Sequence, residues 1–306
     1  MIIEPQILRS RSTKTKSPTT VVVDLGGSWL RLAAAKGSTR ALYKWKKNGV
    51  SLEQLVPVLH SLWKRNEWNN VQRLIVGSKG IWTLSERKKL ARKLSSLAKT
   101  VNTLSDIELA IHTALGHPRK GTVGIFLVAG TGSIAMGITQ TGRWIRVGGL
   151  GPKRGDEGSG WWMGNEFLKR NALPLTGLSI KETAALAKTV FRRSARDSRC
   201  AQIIHEAQNH LASLVVKLSQ KMKGISPLPV SWGGSLMAKS QFRKGVFFAV
   251  RQQTPRTSFT FVPPGEPPEQ RAARSPSLIP QRPPPAVPPR FLAKKKSRPF
   301  SHNPTA

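Results

Sequence analysis

The chain has 306 residues, enough for one large core or two moderate ones, and its 50 Lys and Arg against 15 Asp and Glu give a formal charge of +35. The excess is spread, with net +8 over residues 251–306 and +27 over 1–250, which reads as a solvated surface and not as a nucleic-acid footprint. A single cysteine, Cys200, excludes an internal disulfide and any Cys-based zinc or iron–sulfur site built within one subunit, and no run approaches the roughly 18 apolar residues of a spanning helix.

In chain order, residues 1–18 read as a flexible basic arm. "TTVVVDLGGSWLRLAAAKG", residues 19–37, predicts a strand hairpin with Asp24 at the mouth of a Gly26-Gly27 turn. Leu52, Leu55, Val56, Leu59, Leu62 and Trp63 recur at helical spacing behind Ser51 as N-cap, despite Pro57. "VQRLIVGSKG" predicts a strand and Gly turn, then a helix capped by Ser85 with Leu90, Leu94 and Leu97 on one face. A further strand leads into a helix at Asp106, which is also suited to serve as the N-cap.

"GTVGIFLVAGTGSIAMGI" opens a second half with another strand hairpin. Helices are predicted near 161–171, 180–193 and 201–222, then the strand "PLPVSWGG" and a helix after 239. From Val262 the composition changes, because 13 of the 22 prolines lie between Pro263 and the end. The expected organisation is an N-terminal α/β lobe over 19–118, a C-terminal α/β lobe over 119–262, and a Pro-rich basic tail over 263–306, disordered beyond about 278.

Three Gly-rich turns follow strands, at Gly26-Gly27-Ser28, Gly130-Thr131-Gly132-Ser133 and Gly233-Gly234-Ser235. Glycine lets backbone N–H groups approach phosphate oxygens, and Ser or Thr adds hydroxyl donors, although such turns also arise for backbone geometry alone. None is a Walker A loop or a dinucleotide fingerprint. The carboxylates Asp24, Asp106 and Asp156 at strand ends and turns add what phosphoryl transfer needs, namely a carboxylate for a metal and a base for the acceptor hydroxyl.

"VVVDLGGSWLRLA", "VAGTGSIAMG", "GGLGPKRGDEGSGWWMG" and "VSWGGSL", in that order, resemble the BadF/BadG/BcrA/BcrD-type ATPase family, which includes N-acetylglucosamine kinase. The resemblance runs from about 19 to about 278. It implies two ribonuclease H-like lobes of the actin/Hsp70/sugar kinase type facing a nucleotide cleft, ATP and Mg²⁺ as cofactors, a small-molecule sugar as substrate, a cytoplasmic setting and often a homodimer. By the same resemblance Asp24 holds Mg²⁺ through water, and Gly26, Gly27 and Ser28 lie near the terminal phosphate. Gly130, Thr131, Gly132 and Ser133 form the second phosphate loop, and Gly233, Gly234 and Ser235 border the adenosine. Asp106 is the general base, while Gly148, Gly149, Asp156 and Glu157 face the sugar, so the expected reaction is ATP-dependent phosphorylation of N-acetylglucosamine or glucosamine.

Some residues depart from the family pattern. Leu150 stands where Trp is common, Lys153 and Arg154 add charge beside the sugar turn, and Gln270 and Arg271 replace small residues that precede a closing helix. The isolated Cys200 argues against the iron–sulfur activator branch. Two other readings stay open from the sequence: a non-catalytic ATP-binding protein of the same fold, and a basic nucleic-acid-binding protein.

Overall fold

The computed structural model describes residues 18–281, apart from 27–28, 38, 47–50, 118–120, 153, 175–176 and 223. The predicted basic arm, Gly27, Ser28, Lys153 and the end of the tail therefore lie outside the described residues.

The first lobe is built from β1 (Thr20–Leu25), β2 (Trp29–Lys36), β3 (Thr39–Lys46), α1 (Leu52–Asn66), β4 (Arg73–Ser78), α2 (Leu84–Lys93), β5 (Thr100–Leu104) and α3 (Asp106–Leu115). A short ribbon of β6 (Gly116–His117) and β7 (Gly121–Thr122) leads to the second lobe. There follow β8 (Gly124–Ala129), β9 (Ser133–Ile138), β10 (Trp144–Gly148), α4 (Gly160–Arg170), α5 (Ile180–Ala185), α6 (Ala187–Arg193), α7 (Ser198–Ser219), β11 (Leu228–Gly233), α8 (Ser240–Gln253) and β12 (Phe259–Phe261). A last helix, α9 (Pro268–Arg274), comes after both sheets.

The two five-stranded sheets repeat one plan, β3-β2-β1-β4-β5 and β10-β9-β8-β11-β12. In each, the first three strands run antiparallel and the other two add in parallel to the first. β1 is central and every residue of it is buried, which is why "TVVVDL" is nearly continuous in apolar residues instead of alternating. The predicted hairpins are each extended by a further antiparallel strand, β3 and β10, giving the duplicated α/β lobes.

Helix α3 is the wedge between lobes. Its Ile107, Ile111 and Ala114 pack with Phe126, Met136, Ile138 and Trp144 of the second lobe, and its Leu109 packs with Val22, Ile75 and Leu104 of the first. Gly77 makes this approach possible, since a Cβ there would sit 2.6 Å from Leu109 Cδ2.

Ser51 caps α1 as expected, in a capping box with Gln54. α2, however, is capped by Thr83 and not Ser85, and α3 by Ser105, with Asp106 as its first residue. The reason is the same in both helices: a hydroxyl residue followed three positions later by Glu closes a reciprocal capping box, Thr83 with Glu86 and Ser105 with Glu108. The predicted 180–193 helix is broken into α5 and α6.

The largest correction concerns residues 263–281, which the composition assigned to a tail. Pro267 and Pro268 start α9, whose Ala272 and Ala273 are the small buried residues that let it pack on the first sheet with Ile279. Arg73 donates to Pro276 O at 2.8 Å and Ile279 O at 2.7 Å, and Asn102 Nδ2 donates to Gln281 O at 2.7 Å. The segment thus completes the first lobe. Ile279→Ala is expected to destabilise the protein by about 2–4 kcal/mol in denaturant unfolding.

Candidate active site

Register gathers the first set of residues. Asp24 pairs with Gly77 across β1 and β4, and Gly77 with Leu104 across β4 and β5, so the carboxyl ends of three parallel strands share one edge. Asp106 begins the helix just past that edge. On the other side Asp24 faces Arg31 of β2, whose Nη1 donates to Asp24 Oδ2 at 3.0 Å.

Asp24 is buried, and desolvation pushes its pKa up from 3.8 to about 7; Arg31 opposes this, while the carboxylates of Glu269 and Asp106 add to it. The Glu269 charge comes from α9, in the stretch that composition had set aside. Mg²⁺ takes one or two carboxylates and completes its shell with phosphate and water, so Asp24 fits such an ion. Among the described residues no group of three or more His, Cys, Asp or Glu could hold a metal by itself. Gly26 N donates to Trp29 O at 3.0 Å, closing the first turn.

The second set lies in the other lobe. Gly130 N donates to Gly132 O at 2.9 Å, and the start of α4 docks on the same turn through Gly160 N to Gly130 O at 2.7 Å and Trp161 N to Thr131 O at 3.1 Å. The turn at Gly233, Gly234 and Ser235 packs against it: a Cβ on Gly130 would lie 3.7 Å from Ser235 N. Gly234 has φ +92°, and a Cβ there would meet Ala129 O at 2.2 Å. Gly234→Ala is therefore expected to push the two turns apart and to destabilise the protein by about 1–3 kcal/mol in denaturant unfolding.

Asp156 is buried at φ +64°, in the left-handed region that its glycine-flanked turn permits. Its Oδ1 accepts from Ser133 N at 3.2 Å, and Ser133 Oγ donates to the carbonyl of Glu157 at 2.8 Å. The Gly-Asp-Glu-Gly turn is thus tied to the turn at Gly130–Ser133, while the Glu157 side chain stays exposed. Burial raises the Asp156 pKa; the Ser133 N–H, Lys79 and Arg146 hold it down, and Glu157 raises it. Lys79 belongs to the first lobe, so the two lobes meet in charge here. Gly148 and Gly149 have φ +76° and +69°, and a Cβ on Gly149 would meet Ile134 at 2.7 Å.

The structure brings Asp24 and Asp106 together on one sheet edge, and the turns at 130–133, 148–149, 156–157 and 233–235 together in the other lobe. Sequence reasoning missed Glu269, Lys79, Trp82 and Arg146. Arg146 carries a readable signal, standing two residues before the Gly148-Gly149 pair; Glu269 carries none, because its role depends on where α9 docks. Among the described residues no helix is long and apolar enough to cross a membrane.

Solved structures described as sugar kinases share this two-lobed architecture. A provisionally assigned N-acetylglucosamine kinase from Chromobacterium violaceum superimposes with a TM-score of 0.60 at 19% identity, covering 86% of this chain and 100% of that one. A provisionally assigned N-acetylmannosamine kinase from Listeria monocytogenes gives 0.62 at 14% identity, covering 85% and 98%. The ROK hexokinase of Thermus thermophilus gives 0.57 at 15%, covering 83% and 96%. At these identities the likeness establishes the two-lobed fold. No curated protein sequence matches the chain. The model of the BadF/BadG/BcrA/BcrD ATPase family matches residues 12–260, most of the length, and the chain belongs to that family.

Proposed function

We propose that the protein transfers the γ-phosphoryl group of ATP to a hydroxyl of an amino sugar, N-acetylglucosamine or glucosamine. The observation that carries this reading is the shared edge of β1, β4 and β5, which sets Asp24 and Asp106 close enough for their charges to interact, across from the Gly-rich turns of the second lobe.

In this reading Asp106 accepts the proton of the attacking hydroxyl as the phosphoryl group moves in line. Its place at the first turn of α3 suits a base that must stay fixed, because Ser105 and Glu108 lock that turn. Gly130, Thr131, Gly132 and Ser133 take the phosphates, with Gly26, Gly27 and Ser28 at the terminal one, and Gly233, Gly234 and Ser235 border the adenosine. Asp24 would hold Mg²⁺, which supplies charge neutralisation at the phosphates. Gly148 and Gly149 offer backbone to the sugar, and Asp156 and Glu157 offer acceptors for its hydroxyls. Closure of the lobes around α3 excludes water that would compete with the sugar.

ADP release from Mg-ATP, followed against N-acetylglucosamine, glucosamine and glucose, tests the proposal. Stimulation by an amino sugar above glucose supports it. ATP binding with no stimulation by any sugar would replace it with a non-catalytic ATP-binding role.

A further inference from the structure

A chain of contacts crosses the cleft from the base to the sugar turn, and Trp82 is its middle link. On the first-lobe side, Arg87 and Glu108 are fully buried, and Arg87 Nη2 donates to both Glu108 oxygens at 2.8 Å. The same Glu108 accepts from Ser105 N at 2.7 Å and Ser105 Oγ at 2.9 Å, which fixes the residue immediately before Asp106. Arg87 Nη2 also reaches Trp82 O at 3.4 Å. A buried ion pair seldom stabilises a fold more than apolar residues of the same volume would, so its value here is placement.

On the second-lobe side, Arg146 of β10 lays its guanidinium over the Trp82 ring, 4.5 Å from the centroid. Its Nε donates to Gly148 O at 3.2 Å and its Nη2 donates to Gly149 O. Arg146 thus holds the backbone of the sugar-facing turn while resting on a ring from the opposite lobe. The Trp82 ring itself packs on the apolar cluster that α3 shares with the second lobe. Arg146 is half-buried, and taking it out of water strengthens a cation–π contact relative to an exposed one.

We propose that Trp82 is a positioning residue that couples the Gly148–Gly149 turn to the Asp106 base across the cleft, so that seating the sugar and aligning the base are one event. The inference rests on the phosphoryl-transfer reading above. Trp82 touches neither sugar nor phosphate in this account; its ring bears on Arg146 and on the α3 cluster, and its backbone carbonyl, which every side-chain variant keeps, accepts from Arg87.

The test is steady-state kinetics of Trp82→Ala, Trp82→Phe, Arg146→Lys and the Trp82→Ala/Arg146→Lys double variant, using the amino sugar that gives the highest wild-type rate. Trp82→Ala is expected to raise the sugar KM about tenfold and lower kcat, with the KM for ATP unmoved, and Trp82→Phe to restore both within about threefold. Adding Trp82→Ala to Arg146→Lys should cost no more than about a further twofold, since Trp82 acts on the turn through the Arg146 fork that Lys has already lost. If Trp82→Ala does not melt cooperatively, Arg146→Lys carries the test, because it keeps the charge but loses the fork that spans both carbonyls. Wild-type sugar kinetics in Trp82→Ala or in Arg146→Lys, or effects that multiply in the double variant, would overturn the coupling alone. A wild type with no sugar-stimulated ADP release would overturn the phosphoryl-transfer reading and the coupling together.

Discussion

Asp106→Asn is expected to reduce sugar-dependent phosphoryl transfer by about two to four orders of magnitude while leaving ATP binding and thermal unfolding close to wild type. Asn keeps the volume and can still accept a hydrogen bond, but it cannot take the proton of the attacking hydroxyl. Folding should tolerate the change because the cap of α3 is Ser105, and the reciprocal hydrogen bonds run between Ser105 and Glu108. The Asp106 Oδ1 accepts from Ile107 N at 3.0 Å, a role that an amide oxygen can fill. The check is a pair of measurements on one preparation, turnover and calorimetric ATP binding. Loss of both would mean that Asp106 supports the nucleotide site, and loss of neither would remove it from the chemistry.

Asp24→Asn should separate stability from activity with opposite signs. The Asp24 pKa is raised from 3.8 to about 7, so the folded state holds this proton more tightly than the unfolded chain does. The stability it contributes is fully present below about pH 4 and is lost as pH rises through about 7. His112 behaves in the reverse sense: burial lowers it from 6.5 to about 4, so its contribution is present above about pH 6.5 and lost as pH falls through about 4. The two slopes oppose each other over the same window in the wild type. Asp24→Asn removes one of them. The variant should therefore gain stability with rising pH between about 4 and 6.5, and at about pH 8 exceed the apo wild type by roughly 2–4 kcal/mol. It should also lose Mg²⁺-dependent turnover. Parallel denaturation curves across pH for the two proteins would show that Asp24 is not buried as an unpaid charge.

The parts of this molecule that could be read in advance are those where local chemistry and fold agree. β1 reads as a central strand because its apolar run suits burial on both faces, and the turn after β11 needs its glycine for close approach, since a Cβ on Gly234 would meet Ala129 O at 2.2 Å. The capping boxes at Thr83 and Ser105 were legible in principle, since both have Glu three positions later whereas Ser85 has Lys88 there. β3 was harder, because "TRALYKWK" mixes charges into an edge strand.

What could not be read depends on tertiary distance. Nothing local distinguishes Glu269 from any other residue of a Pro-rich segment until Ala272 and Ala273 dock α9 on the first sheet and bring that carboxylate beside Asp24. The Trp82 and Arg146 partnership spans 64 positions and two lobes, so neither residue announces the other. The Gly-Asp-Glu-Gly turn stood out in the sequence, but its hydrogen bonds to Ser133, which join it to the turn at Gly130–Ser133, did not.

The most direct measurement of the central claim is the fate of the label when the protein is supplied with ATP radiolabelled at its γ-phosphorus, Mg²⁺ and N-acetylglucosamine or glucosamine. The account predicts that label passes to the sugar in the wild type and that Asp106→Asn ends this transfer while still binding ATP. Label released only as inorganic phosphate, or retained in ATP with either sugar present, would contradict it.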